Sequence, residues 1–191
     1  MVAFYSNFSL VIESFITTPE TISGSVSLLI TTTAAPSSLA HRMLLLKIRN
    51  IRSHAVFIGL SIHILHVPSG QPKLPNMYLN LARLFAVTEW TLLYPSDIST
   101  HLHPQLYTSI VSKQLASEQV HLLTSAPIYP FHPLTPLLLA RDRDFWCTER
   151  FFLESSRVSD WDECLWQLSF ETFGEIKNLE VESLEYPSKV R

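Results

Sequence analysis

The chain has 191 residues, 47% of them hydrophobic and 16% charged, with a formal net charge of −3. That length suits one domain, and the composition is too apolar for a disordered chain and short of the roughly 25% charged residues usual in soluble domains. No run of Lys or Arg forms the basic stripe that a nucleic-acid backbone needs, so no nucleic-acid partner is expected.

Met1 to Glu20 has neither the basic start nor the continuous apolar stretch of a signal peptide, Glu13 interrupting its best run. No segment reaches the roughly 18 apolar residues of a membrane span. Residues 1–23 read as an N-terminal extension, 24–182 as one domain and 183–191 as a tail. Val26 to Thr32 is apolar and β-branched, which suits a strand covered on both faces, and Pro36, Ser37 and Ser38 break it. From Leu39 to Ile51, Met43, Leu44, Leu45, Leu46, Ile48 and Ile51 predict a helix with a wide apolar face, leaving Arg42, Lys47 and Arg49 for solvent. Leu60 to Val67 reads as a second strand closed by Pro68, Ser69 and Gly70. After Pro75, Met77, Leu81, Leu84 and Phe85 fall at helical spacing, and Trp90 to Tyr94 forms a third strand ended by Pro95, Ser96 and Asp97.

His103 to Ala116 predicts a helix with Leu106, Ile110, Val111 and Leu115 inward and Pro104 in its first turn; Val120 to Ser125 follows as a fourth strand. Strands joined by helices of this length imply right-handed crossovers and a mainly parallel, Rossmann-like sheet. Pro127, Pro130, Pro133 and Pro136 exclude a long helix in the next stretch, and Leu137 to Ala140 is expected at the sheet edge. In the last helix Trp161, Cys164, Leu165 and Leu168 share a face, Ser159 is the expected cap, Asp162 suits the positive end and Gly174 is the stop.

Ligands of an open α/β sheet gather beyond the carboxyl ends of its strands, which singles out Asp97 after the third strand. A carboxylate there suits a hard cation and a diphosphate, or else an Asx-type turn; both readings stand. His101, His103 and Asp97 have a spacing compatible with zinc but common by chance, and are taken as loop residues. His63 and His66 are offset by an odd number, so a strand sends them to opposite faces. Cys147 and Cys164 are equally compatible with a disulfide and with free buried thiols. No GxSxG, GxGxxG or GxxxxGK[ST] segment occurs. Trp161 lies on the apolar stripe of its helix and Trp166 off it, where it is available to stack on a sugar.

The segment Asn76-Met-Tyr-Leu-Asn80-Leu-Ala-Arg83, the apolar strand that follows, Asp97, and the later Trp146-Cys-Thr-Glu149-Arg150-Phe151 resemble, in order and spacing, the LARGE-type glycosyltransferases of family 49. The resemblance runs from about Val26 to Gly174. It implies a GT-A type fold and an inverting, metal-assisted transfer of a sugar from a UDP-sugar donor to a hydroxyl of a glycan or glycoprotein acceptor. It implies donor contacts from Asn76, Asn80 and Arg83, a Mn2+ or Mg2+ ligand in Asp97, a catalytic Glu149, and Arg150 on the acceptor side. It also implies work in the Golgi or secretory pathway. Leu79 stands where the family has Arg, Pro95 at the first carboxylate of its DxD motif, and Thr148 at an acidic position; no His follows His132 to supply a further metal ligand. These departures leave room for a second reading, a degenerate member that binds a sugar nucleotide or a protein without turnover. A third is an interaction domain working through the Trp-rich last helix.

Overall fold

Along Val26 to Thr32 the side chains are buried without exception, Leu28 and Ile30 toward one face and Leu29 toward the other. A strand of this kind is stable only with cover on both sides. The computed structural model describes residues 2–7, 25–53, 59–71, 74–95, 110–113, 115–116, 119–124, 129–142, 157–171, 176–179 and 181. In chain order the elements are β1 (Val2–Asn7), β2 (Val26–Thr32), α1 (Leu39–Ser53), β3 (Leu60–His66), α2 (Pro75–Leu84), β4 (Trp90–Leu93), β5 (Val120–Leu123), β6 (Leu137–Ala140), α3 (Arg157–Glu171) and β7 (Ile176–Leu179).

They build one sheet in the order β3-β2-β1-β4-β6-β5-β7, a mixed α/β arrangement. β3, β2, β1 and β4 are mutually parallel, β6 runs against both β4 and β5, and β7 is parallel to β5. Leu44 of α1 lies in the apolar cluster of one face with Leu28, Ile30, Leu92 and Leu138. On the other face Tyr78, Leu79 and Ala82 of α2 and Trp161, Cys164, Leu165 and Leu168 of α3 pack on Leu29, Leu93, Leu122 and Leu137. Ser38 caps α1 by accepting the His41 amide at 3.1 Å. Pro75 opens α2, where its missing N–H costs nothing.

Several expectations are corrected. Residues 1–23 were read as an N-terminal extension, yet Val2–Asn7 is an interior strand of the sheet, paired with β2 along its whole length and with β4 through Val2 and Ala3. Leu137–Ala140 is not at the edge: it sits between β4 and β5, antiparallel to both, and the described part of the preceding proline-rich stretch, residues 129–136, contains no helix. Helix α3 begins at Arg157, so Ser159 lies inside its first turn and Asp160 is the acidic residue there. Met43, Leu45 and Leu46 of α1 are exposed rather than buried. Of the helix expected over 103–116, residues 103–109 and 114 lie outside the described part, as does Gly174; Ile110 and Leu115 pack on the α1 face.

Cys164 is disulfide-bonded, and Cys147 lies outside the described residues. Trp161 is fully buried, and its Nε1–H donates to the Thr135 carbonyl at 2.8 Å, tying α3 to the segment before β6. Replacing Trp161 by Phe leaves that buried carbonyl without its donor. We expect Trp161→Phe to lower the unfolding free energy by about 1–3 kcal/mol, read as a reduced midpoint in urea.

Candidate functional site

The strand order reverses next to β1: the chain steps outward through β2 and β3, then returns to the other side as β4. Adjacent parallel strands whose connections leave in opposite directions open a crevice at their carboxyl ends, and this is where α/β sheets bind ligands. At this switch point β1 ends with Ser6 and Asn7, and β4 is followed by Tyr94 and Pro95, both buried. Thr31, in register with Asn7, and Thr32 complete the neighbouring end of β2 and are 5% and 7% exposed. Asp97 follows Pro95 by two positions and lies outside the described residues, as do Glu149 and Arg150.

Helix α2 descends from this edge. β3 carries the chain up to His66, so the next helix starts at the carboxyl edge and ends near the start of β4. Asn76, Asn80 and Arg83 lie on one stripe of α2, at spacings of four and three, and each is 1% exposed. The side-chain amide of Asn80 donates to the Asn76 carbonyl at 3.1 Å, while its Oδ1 is buried without a hydrogen-bond partner. Seven positions at about 1.5 Å each carry Arg83 roughly 10 Å further along the axis than Asn76. Asn76 therefore stands by the crevice and Arg83 toward the opposite edge. There the Arg141 amide donates to the Glu89 carbonyl at 2.7 Å, and Arg141 pairs with Asp142 at 3.0 Å. The Asp142 carboxyl is held below its ordinary range first by its hydrogen bond to Arg141, with smaller electrostatic contributions from Arg141 and Arg83. Leu79, which stands where the LARGE-type family has Arg, is buried in the apolar cluster under α3.

The two strand histidines part as expected from their offset. His63 stacks on Phe85 at the end of α2, with ring centroids 4.4 Å apart, and His66 meets His41 of α1 at 5.0 Å. His66 Nδ1–H donates to the Ala34 carbonyl at 2.8 Å, and His41 Nδ1 accepts the Ser37 amide at 3.0 Å, so both rings are oriented by backbone at the carboxyl edge. His101 and His103 lie outside the described residues. Among the described residues no three of His, Cys, Asp and Glu come together as a metal group. Trp166 is 52% exposed and stacked with Phe170, whereas Trp161 is core. The residues that the sequence analysis missed are the ends of β1 and β2, Ser6, Asn7, Thr31 and Thr32. A short apolar run that turns polar, as in Val-Ala-Phe-Tyr-Ser-Asn, is the signal that marks such a strand end.

No family model matches the chain, and no curated protein matches it. The crystal structure of the glycosyltransferase GlyE from Streptococcus pneumoniae TIGR4 is similar, with a TM-score of 0.51 and 12% sequence identity, over 94% of this chain and 45% of that one. The chain thus spans under half the length of the protein it matches. At this identity the likeness is one of fold: a mixed α/β domain built like part of a glycosyltransferase. It does not reach the LARGE-type family, which stays a resemblance of motifs.

Burial holds one further group in a defined state. His121 of β5 is 4% exposed, packed edge-on against Trp90, and desolvation lowers its pKa, with the backbone of Ala116 opposing and Lys177 adding to the shift. A histidine depressed on folding contributes stability that is complete above its ordinary value near 6.5 and is lost as pH falls from there through the lowered value. The melting temperature is expected to drop between pH 7 and pH 5, and the drop to shrink in His121→Gln.

Proposed function

We propose that this chain is a glycosyltransferase domain of the GT-A type, which binds a UDP-sugar in the crevice between β1 and β4 and transfers the sugar, with inversion, to a hydroxyl of a glycan or glycoprotein. The observation that supports it most is the reversal of strand order beside β1 in a chain folded like a glycosyltransferase, and in the sequence Asp97 follows the last described residue after β4 by two positions. Asn76 and Asn80 face the donor in this reading, and Arg83, at the far end of the stripe, supports the helix rather than touching the sugar. Glu149 takes the proton of the acceptor hydroxyl as its oxygen bonds the anomeric carbon, and the bond from that carbon to the diphosphate breaks with its electron pair leaving on UDP. Arg150 orients the acceptor. Asp97 would hold a Mn2+ or Mg2+ ion, which supplies positive charge to the departing diphosphate when bound. The disulfide at Cys164 favours an oxidising compartment, in keeping with a Golgi or secretory location.

A second reading, a domain that binds the sugar nucleotide without turnover, is favoured by one feature. At the position of a first metal carboxylate stands Pro95, buried at the end of β4 and without an oxygen side chain to offer. A single carboxylate grips a cation less firmly than a pair.

Titration with UDP and Mn2+ tests both readings. Ligand at a hundredfold excess over Kd stabilises by about 2.7 kcal/mol, a shift of several degrees in melting temperature. The shift is expected in the native chain and its metal-dependent part is expected to vanish in Asp97→Ala; an undiminished shift removes Asp97 from the site. UDP release with candidate donors then separates transfer from binding alone. Asn80 gives an independent check. A buried oxygen without a partner costs about 1–3 kcal/mol, so Asn80→Leu is expected to keep or raise the melting temperature while losing the UDP-induced shift.

A further inference from the structure

Helix α1 has two apolar faces. Leu44 and Ile48 turn inward onto the sheet. At about 100° per residue, Leu39, Met43 and Leu46 fall within about 60° of one another on the opposite side. They are 76%, 48% and 54% exposed. Arg42 and Arg49 flank this stripe on one side and Lys47 on the other, all exposed. No Asp or Glu occurs between Leu39 and Ser53, although the whole chain carries a formal charge of −3. An exposed apolar stripe costs nothing to a domain that keeps it covered in use, and the flanks say by what.

We propose that the outer face of α1 rests on an anionic membrane surface. Leucine and methionine side chains enter the boundary between headgroups and acyl chains, while the aliphatic stems of Arg42, Arg49 and Lys47 let their charges reach the phosphates on both sides. A protein partner fits less well. The flanks of the stripe carry only positive charge, and lysine is depleted from protein–protein interfaces. No helix among the described residues is long and apolar enough to cross a membrane, so the contact is interfacial.

Sedimentation of the full chain with vesicles tests this. With vesicles of phosphatidylcholine and phosphatidylserine at low salt the chain is expected in the pellet. With phosphatidylcholine alone, or at high salt, it is expected in the supernatant. Replacing Leu39, Met43 and Leu46 together by Ser should abolish pelleting with the circular dichroism spectrum and melting temperature retained. Arg42→Gln with Arg49→Gln, which touches no packed residue, should weaken partitioning on the order of fivefold per charge. Failure of the native chain to pellet with the anionic vesicles overturns the proposal, as does undiminished pelleting of both variants. A native dimer in solution that the serine variant converts to a monomer, without lipid binding, would assign the face to a second copy instead.

Discussion

Two-sided burial of the central strands is the constraint on which the rest depends. β2 exposes neither face, and β1 lies between β2 and β4. A sheet of this kind has to be covered by α1 on one side and by α2 and α3 on the other, and parallel strands joined through such helices take right-handed crossovers. With β2 and β3 on one side of β1 and β4 on the other, the strand order reverses at the carboxyl ends of β1 and β4, where sheets of this kind bind ligands. The position of the candidate site is thus a consequence of core formation and owes little to any single polar residue.

Helix α2 shows the tension between packing and chemistry. Most of its surface is inside the protein, including Asn76, Asn80 and Arg83, residue types that a packed helix face seldom holds. Ser27 of β2 helps to seat it by donating to the Ala82 carbonyl at 2.8 Å. Nothing in the packing requires an amide at position 80, where one oxygen goes without a partner. Buried polar groups that lower stability in this way are characteristic of sites retained for binding. The lone antiparallel strand β6 serves a different purpose: it brings the Thr135 carbonyl to Trp161 and so fixes α3 against α2.

Element positions were largely legible, because strands and helices that bury a face carry their period in the sequence. β2, β3, β4 and β5 lie within a residue or two of where apolar runs and turn residues put them, and α1, α2 and α3 likewise. β1 was missed because six residues form no period long enough to stand out. The outward turn of Leu39, Met43 and Leu46 was missed for a related reason: a helix rich in leucine all round has no unique inner face until the sheet chooses one. Of the candidate site, the stripe of Asn76, Asn80 and Arg83 was legible as spacing, and its total burial was not.

Local pattern and turn chemistry, read from the residues alone, determined the α/β class, the parallel character of the first strands, the odd offset that separates His63 from His66, and the core role of Trp161. Only the tertiary structure decided that Val2–Asn7 is an interior strand of the sheet, that Leu137–Ala140 runs backward inside it, that Cys164 is in a disulfide, and that Arg83 lies about 10 Å beyond Asn76 along its helix. The division has one cause. Periodicity records which side of an element is apolar, whereas strand neighbours, chain direction and distance between sites depend on contacts between segments far apart in the chain, and no local run of residues encodes them.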